Sequence, residues 1–456
     1  MPGARDPGQA ATGLKASKYN VSVSEGAGSY LLANTLTTAV VRLRDPSPLQ
    51  PARAALLEGD APFDLPLDET TLDLLVSNGF LVSEDFDEME WLERLHWTAR
   101  RGREALGVGV AVTLGCNFRC TYCYQRHERV HLPLELEESI VKFVAKGLEG
   151  RSVLRVMWFG GEPLLRTGAI RRISRSLLGL TDAQGVRYDG SITTNGYLLS
   201  EETSRMLVDL GVTDVQVTLD GPPAIHDERR PLANGRPTFD VILRNLVAVA
   251  KLFSRVIVRI NVDRRNQAGM PELLDLLRPV REWVELAFRP ATSPDSPPQE
   301  EAWCIPSTAY WDLDKDLALL AKELGFRIIR GYAFPGTSFC SGYQLNSVTI
   351  DPYGDVHRCP VCVGRRDRRF GVLTAEGAIR AQDGMQKQWD QWSPFLDHEC
   401  RECKALPVCM GGCLWYVGRE KAGSLRCFAK QRLTEGMLGE SLFGGGIRAT
   451  ERAERR

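Results

Sequence analysis

From residue 108 the chain alternates short apolar runs with segments of helical period. VGVAVTL, VLRVMWFGG, GSITTNG, DVQVTLDG, VIVRINV and WVELAFRP read as strands, each short, apolar and closed by Gly, Asn, Asp or Pro. Between them LELEESIVKFVAKGLEG, TSRMLVDLG, FDVILRNLVAVAKLF and MPELLDLLRPV repeat apolar residues every three or four positions, as amphipathic helices do. Six such units imply a parallel sheet, open or closed into a partial barrel. Upstream, KYNVSV and SYLLANTLTTAVVRL read as strands joined by the turn EGAG. Helices are expected near PLQPARAALLEGD, in DETTLDLLVSNGFL and in EDFDEMEWLERLHWTARRG. The predicted fold class is α/β: a partial (β/α)6 barrel, preceded by a small α+β domain and followed by a loop-rich domain.

Composition sets the scale and the surroundings. At 456 residues the chain exceeds one ordinary core. The expected division is a disordered lead over 1–16, a small domain over 17–105, the barrel over 106–300, the loop-rich domain over 301–440 and a disordered tail over 441–456. Hydrophobic residues make up 43% and charged residues 25%, with a net charge of −1, so neither a nucleic-acid surface nor a polybasic membrane anchor is implied. No run reaches the roughly 20 apolar residues of a membrane span. The start, MPGARDPGQAATG, has no apolar signal core. Twelve cysteines in a chain expected to be cytoplasmic point to metal rather than to disulfides.

Three of those cysteines stand together in GCNFRCTYCYQ, as Cys116, Cys120 and Cys123. They follow the first barrel strand directly, where parallel folds place their sites. A closed zinc site would want four ligands. Three thiolates at these spacings can instead hold three corners of an iron–sulfur cube and leave one iron open. The motif, with Tyr122 between the last two cysteines, resembles that of the radical S-adenosylmethionine (radical SAM) enzymes. In that family the open iron binds the methionyl end of S-adenosylmethionine, and reduction releases a 5′-deoxyadenosyl radical. The resemblance extends strand by strand. MWFGGEP is similar to the family's GGE motif, which assigns Gly160, Gly161 and Glu162 to the methionyl ammonium. SITTNG and VTLDGPPAIHDERR resemble the next two segments and nominate Thr218 and Arg230 for ribose and carboxylate, with Tyr122 beside the adenine. Asp220 and His226 read as structural. No catalytic acid or base is nominated.

The last third carries a second pattern. Cys340, Gly354 and Cys359 are followed by Cys400, Cys403, Cys409, Cys413 and Cys427. A zinc ribbon over residues 400–413 is one reading of these spacings. They resemble the seven-cysteine SPASM domain, whose two auxiliary clusters bring the expected total to three [4Fe-4S] clusters. The resemblance assigns Cys400, Cys403, Cys409 and Cys427 to one cluster and Cys340, Cys359 and Cys413 to the other. Cys362 and Cys304 are both candidates for a fourth ligand of the latter.

SPASM proteins act on ribosomal peptides, on sulfatase active sites and on some small molecules. Sulfatase maturases place an aspartate base directly after the cysteine matching Cys359; here it is Pro360, which disfavours that activity. The hairpin and helices of residues 17–105 resemble, in element order, the winged-helix-like leader-recognition domain of peptide maturases, which takes an extended leader onto a sheet edge. The expected function is therefore oxidative cross-linking of a precursor peptide, forming a thioether or a carbon–carbon bond. The auxiliary clusters would accept the electron, and flavodoxin or ferredoxin would supply reduction. The alternative is a radical SAM dehydrogenase acting on a small molecule or a protein side chain.

Overall fold

The computed structural model describes residues 13–26, 29–43, 53–60, 62–63, 67–291, 303–305, 307–329, 340–382 and 389–416. Two units divide the chain, and they do not follow its order. The first takes Met1–Ala99, Tyr332–Phe339 and Trp392–Arg456; the second takes Arg100–Gly331 and Cys340–Gln391.

In the first unit, strand β1 (Leu14–Ala16) precedes β2 (Asn20–Gly26), β3 (Ser29–Asn34), β4 (Val40–Leu43) and β5 (Leu81–Ser83). Strands β2, β3 and β4 form an antiparallel sheet in that order, and β1 pairs antiparallel with β5. The expectation of disorder through residue 16 is corrected here: Leu14 to Ala16 hydrogen-bond to a strand nearly 70 residues away, a pairing that local composition cannot reveal. The expected helices form at Arg53–Glu58, Glu69–Ser77 and Glu88–Arg100. Asp68 caps the second of these by accepting from the Thr71 amide at 2.9 Å. Leu32, Leu56, Leu75, Phe80 and Leu81 build one core. Beside it lies a polar knot. Asn34 Nδ2 donates to Ser17 Oγ at 2.8 Å, and the buried Glu88 accepts from Ser17 Oγ at 2.5 Å and from the Lys18 amide at 2.8 Å. A second core joins Tyr19, Leu36 and Leu92 to Phe395, Leu406 and Met410 from the far end of the chain.

The second unit holds the remaining strands: β6 (Ala105–Thr113), β7 (Val153–Gly160), β8 (Arg187–Thr194), β9 (Val212–Thr218), β10 (Arg255–Val262), β11 (Val284–Pro290), β12 (Arg327–Ile328), β13 (Ser347–Ile350), β14 (Asp355–His357), β15 (Gly371–Leu373) and β16 (Ile379–Ala381). All six expected barrel strands are present, mutually parallel in the order β6 to β11. The sheet does not stop there. β12 adds parallel to β11, and β13 adds parallel to β6 and carries β14–β16 antiparallel beyond it. The register sorts the faces. Val110, Trp158, Ile192, Val215, Val256 and Val284 lie across from one another and are buried with helix residues such as Ile242 and Leu273. Each such side chain contributes about 1.5–3 kcal/mol on burial. The opposite face bears Gly109, Met157, Ser191, Gln216, Thr218, Arg259, Asn261 and Arg289, most of them small or polar.

Candidate functional site

The loop after β6 is closed at its base. The Leu114 amide donates to the Val130 carbonyl at 3.0 Å, and Leu132 donates back to Val112 at 3.0 Å. Thr113 Oγ1 accepts from the Gly115 amide at 2.9 Å and lies 2.7 Å from His131 Nδ1. Within this loop Cys116 and Cys120 are half-buried and Cys123 is exposed. Burial pushes the Cys116 thiol up to about 12, with Glu162, Cys120 and Cys123 adding to the shift against the Phe118 amide. The three sulfurs thus feel one another, and metal binding here would release protons.

The turn after β7 is fastened to this loop by backbone alone. Gly161 donates to the Thr113 carbonyl and Glu162 to the Gly115 carbonyl, both at 2.9 Å. A Cβ on Gly161 would stand 2.2 Å from the Gly115 oxygen, so only glycine permits the approach. Glu162 is fully buried and accepts from Thr194 Oγ1 and the Asn195 amide at 2.7 Å and from the Leu164 amide at 3.0 Å. Burial raises its pKa although these donors oppose the shift. Its carboxylate therefore pins the end of β8 to the turn, and Asn195 Nδ2 reaches on to Asn117 Oδ1 at 2.8 Å.

A second knot gathers at the ends of β9 and β10. The Tyr122 hydroxyl donates to Asp220 Oδ2 and accepts from Arg230 at 2.6 Å and from Asn261 Nδ2 at 3.2 Å. Burial works against the Arg230 charge, but Cys120, Tyr122 and Asp220 hold its pKa above the ordinary value. Asp220 also accepts from the Asn261 amide at 2.8 Å, and its own amide donates to His226 Nδ1 at 3.2 Å. Both side chains are wholly buried. Thr218 closes β9 on the inner face, 7% exposed.

The later cysteines fall in both units. In the second, Asp351 braces the β13–β14 hairpin by accepting from His357 Nε2 at 3.1 Å and from the Gly364 amide at 3.2 Å. This sets Cys359 and Cys362 on one turn. The Cys362 side chain, hydrogen-bonded to it, is the leading cause of a Cys359 pKa well above the usual thiol range. Cys340 is raised by burial and then by Cys359. Cys304 lies elsewhere, buried with its sulfur 3.5 Å from the Ala291 carbonyl. In the first unit, Cys400 sits on helix His398–Arg401 and Cys409 ends helix Leu406–Cys409, with Cys403 between them and Cys413 just beyond. Met410 and Gly411 follow with φ of 45° and 85°, and a Cβ on Gly411 would stand 1.8 Å from Trp392. Cys427 lies outside the described residues. Among the described residues no three His, Cys, Asp or Glu side chains close on a single metal ion. The donors assembled are nonetheless all thiols, the soft ligands of iron–sulfur clusters.

The radical SAM superfamily is matched over residues 110–277. This part of the chain is a radical SAM domain. Similar proteins include the serine-type anaerobic sulfatase-maturating enzyme of Klebsiella aerogenes, 23% identical over 65% of this chain and 76% of its own. The mycofactocin maturase MftC of Mycobacterium tuberculosis is 26% identical over 66% of this chain and 76% of its own. Among solved structures, anSMEcpe with bound AdoMet superposes with a TM-score of 0.54 at 18% identity, covering 72% of this chain and 95% of that one. Streptococcus suis SuiB bound to precursor peptide SuiA gives 0.51 at 12% identity, covering 89% and 97%. These two likenesses are of fold.

The radical SAM domain brings Cys116, Cys120, Cys123, Tyr122, Gly160, Gly161, Glu162, Thr218 and Arg230 to the carboxyl ends of strands β6, β7 and β9 and the loops after them. Asn117, Asn195 and Asn261, which tie those loops together, were not singled out by sequence reading; an isolated Asn after a strand reads as a turn residue. The cradle that Gly161 forms and the thiol-only donor set fit a cluster-bound S-adenosylmethionine.

Proposed function

We propose that this chain is a radical SAM maturase that forms an oxidative cross-link, a thioether or a carbon–carbon bond, in a ribosomally made precursor peptide. S-adenosylmethionine on a [4Fe-4S] cluster at Cys116, Cys120 and Cys123 would supply the hydrogen-abstracting radical, and two auxiliary clusters on the later cysteines would take up the remaining electron. Gly160 and Gly161 let the backbone approach the methionyl ammonium, and Glu162 holds that turn in place. Arg230 keeps its positive charge for the methionyl carboxylate. Tyr122 and Thr218 flank adenine and ribose. Flavodoxin or ferredoxin would deliver the reducing electron. Among the described residues no helix is long and apolar enough to cross a membrane, and the proposed setting is the cytoplasm. The relatives' names support the maturase reading, since both describe maturases. Pro360, where a sulfatase maturase has its aspartate, argues for a different peptide.

One observation carries the peptide: the open edge of β4. On the other side of the sheet β2 is attended by helix Arg53–Glu58, with Arg53 Nε on Ser22 Oγ at 2.9 Å and Asn20 Nδ2 on the Leu56 carbonyl at 2.9 Å. Among the described residues β4 pairs with β3 alone. The Asn34 amide donates to the Ala39 carbonyl, so by alternation Val41 and Leu43 face β3 while the Val40 and Arg42 amides face outward. An extended leader can add there by backbone hydrogen bonds. Arg42→Pro removes one outward donor without touching the internal ladder. Affinity for the precursor encoded beside this gene should fall about tenfold in calorimetry, with iron content and reductive cleavage of S-adenosylmethionine retained. Parental affinity and parental modification in Arg42→Pro would remove the leader clamp.

A further inference from the structure

Two arginines on the polar face of the parallel sheet are not used by the site described above. Arg259 of β10 stands in register with Ala287 and with Thr218, and Arg289 of β11 with Asn261, so all share one face. Both are half-buried. Arg259 Nε donates to Asn261 Oδ1 at 2.8 Å, which orients the guanidinium and leaves its outer nitrogens open. Arg289 gives one nitrogen to the Phe288 carbonyl at 2.6 Å. Among the described residues neither has an ion pair, and the neighbouring carboxylates are already committed. Glu285 is held by Arg255 at 2.7 Å and by Arg327 at 3.7 Å. Asp263 is held by Arg229 at 2.6 Å and by Arg265 at 3.0 Å, and Asp220 is taken up by Tyr122 and the Asn261 amide. Burial and then Arg289 depress the Arg259 pKa, with Tyr122, Tyr124 and Asp220 pulling the other way. Tyr124 in turn lies within electrostatic reach of Cys123, Cys359 and Arg259.

Two like charges held partly out of water without an ion-pair partner are costly, and a ligand anion relieves that cost. The planar guanidinium matches a carboxylate in two-point geometry. We infer that Arg259 and Arg289 form a subsite that binds a carboxylate of the substrate peptide beside Tyr124, an inference that rests on the peptide reading above. The carboxylate is either an acidic side chain or the peptide's own C-terminus.

The test is equilibrium binding to the full chain of three blocked tripeptides: N-acetyl-Ala-Glu-Ala-amide, N-acetyl-Ala-Ala-Ala with a free carboxylate, and neutral N-acetyl-Ala-Gln-Ala-amide. The parent should prefer one acidic peptide to the neutral one, and which it prefers identifies the source of the carboxylate. Arg259→Gln and Arg289→Gln should each lower that preference about tenfold, and Arg259→Lys should keep part of it. Affinity for S-adenosylmethionine should not change. A parent indifferent to charge, or variants with parental preference, would overturn the subsite. So would variants that lose S-adenosylmethionine while keeping the peptide preference, or that unfold, since these side chains carry no internal ion pair. N-acetylglycine serves as a fourth probe. If it binds as tightly as the peptides with the same dependence on Arg259 and Arg289, the subsite stands and the peptide reading fails.

Discussion

Gly161 shows how a single missing carbon positions the cysteine loop. Its amide and that of Glu162 are the bonds that hold the turn after β7 against residues 113–115. Gly161→Ala would drive a Cβ to 2.2 Å from the Gly115 oxygen, backbone against backbone, where no side chain can swing aside. Overpacking of this kind costs about 1–3 kcal/mol, and the loop is what must move. Iron in anaerobically reconstituted Gly161→Ala should fall by about four per chain, with secondary structure unchanged; full iron retention would show the loop to be independent of the turn. Residues of this sort were legible because glycine pairs after a strand announce close approach. The asparagines were not. Asn117, Asn195 and Asn261 act through partners brought from other strands, and nothing in their own neighbourhoods separates them from turn residues. Glu162 is legible in the same motif, but two of the three protein donors around its carboxylate come from the end of β8, which one strand's sequence cannot convey.

At the level of elements, long periodic segments could be read and short ones could not. The six barrel strands matched because each runs seven to nine residues with turn signals at its end. β1 and β5 have three residues each, too few to establish an alternation. The strands β13 to β16 hide in a stretch that reads as loop for the same reason. Their arrangement bears on Cys362, which the turn Pro360–Cys362 presents beside Cys359 while Cys304 lies against Ala291. Cys362→Ala should release iron on desalting, up to about four per chain, and alter the spectrum of the reduced protein. Cys304→Ala should do neither. Unchanged iron in Cys362→Ala would return that residue to packing.

On the scale of the whole molecule, the units cut across the sequential division expected from the chain. Tyr19, Leu36 and Leu92 pack with Phe395, Leu406 and Met410, and Thr35 Oγ1 donates to the Lys404 carbonyl at 2.5 Å. Periodicity reports which face of an element is apolar, not which distant segment covers it. A chain ended at residue 391 should therefore leave an apolar face of the first unit bare. Losing several buried side chains at about 1.5–3 kcal/mol each, that unit should melt separately and at lower temperature in calorimetry. An unaltered transition would mean that the early segment is self-sufficient. The same packing makes deletion of residues 1–105 a poor test of leader binding, since it strips Phe395, Leu406 and Met410 of their cover.

The first unit also has a history in time. Its two long contributions, Met1–Ala99 and Trp392–Arg456, are separated by nearly 300 residues of chain. Ribosomes add about 5–20 residues per second, so the early half waits on the order of 15–60 s for the segment that completes its core. During that interval Tyr19, Leu36 and Leu92 remain uncovered on a nascent chain, and the edge of β4 belongs to an unfinished body. The parallel strands of the second unit, drawn almost wholly from residues emerging in between, can assemble first. A cell making this protein would thus have its parallel sheet before the first unit is whole, and holdase chaperones would meet Tyr19, Leu36 and Leu92 while they are uncovered.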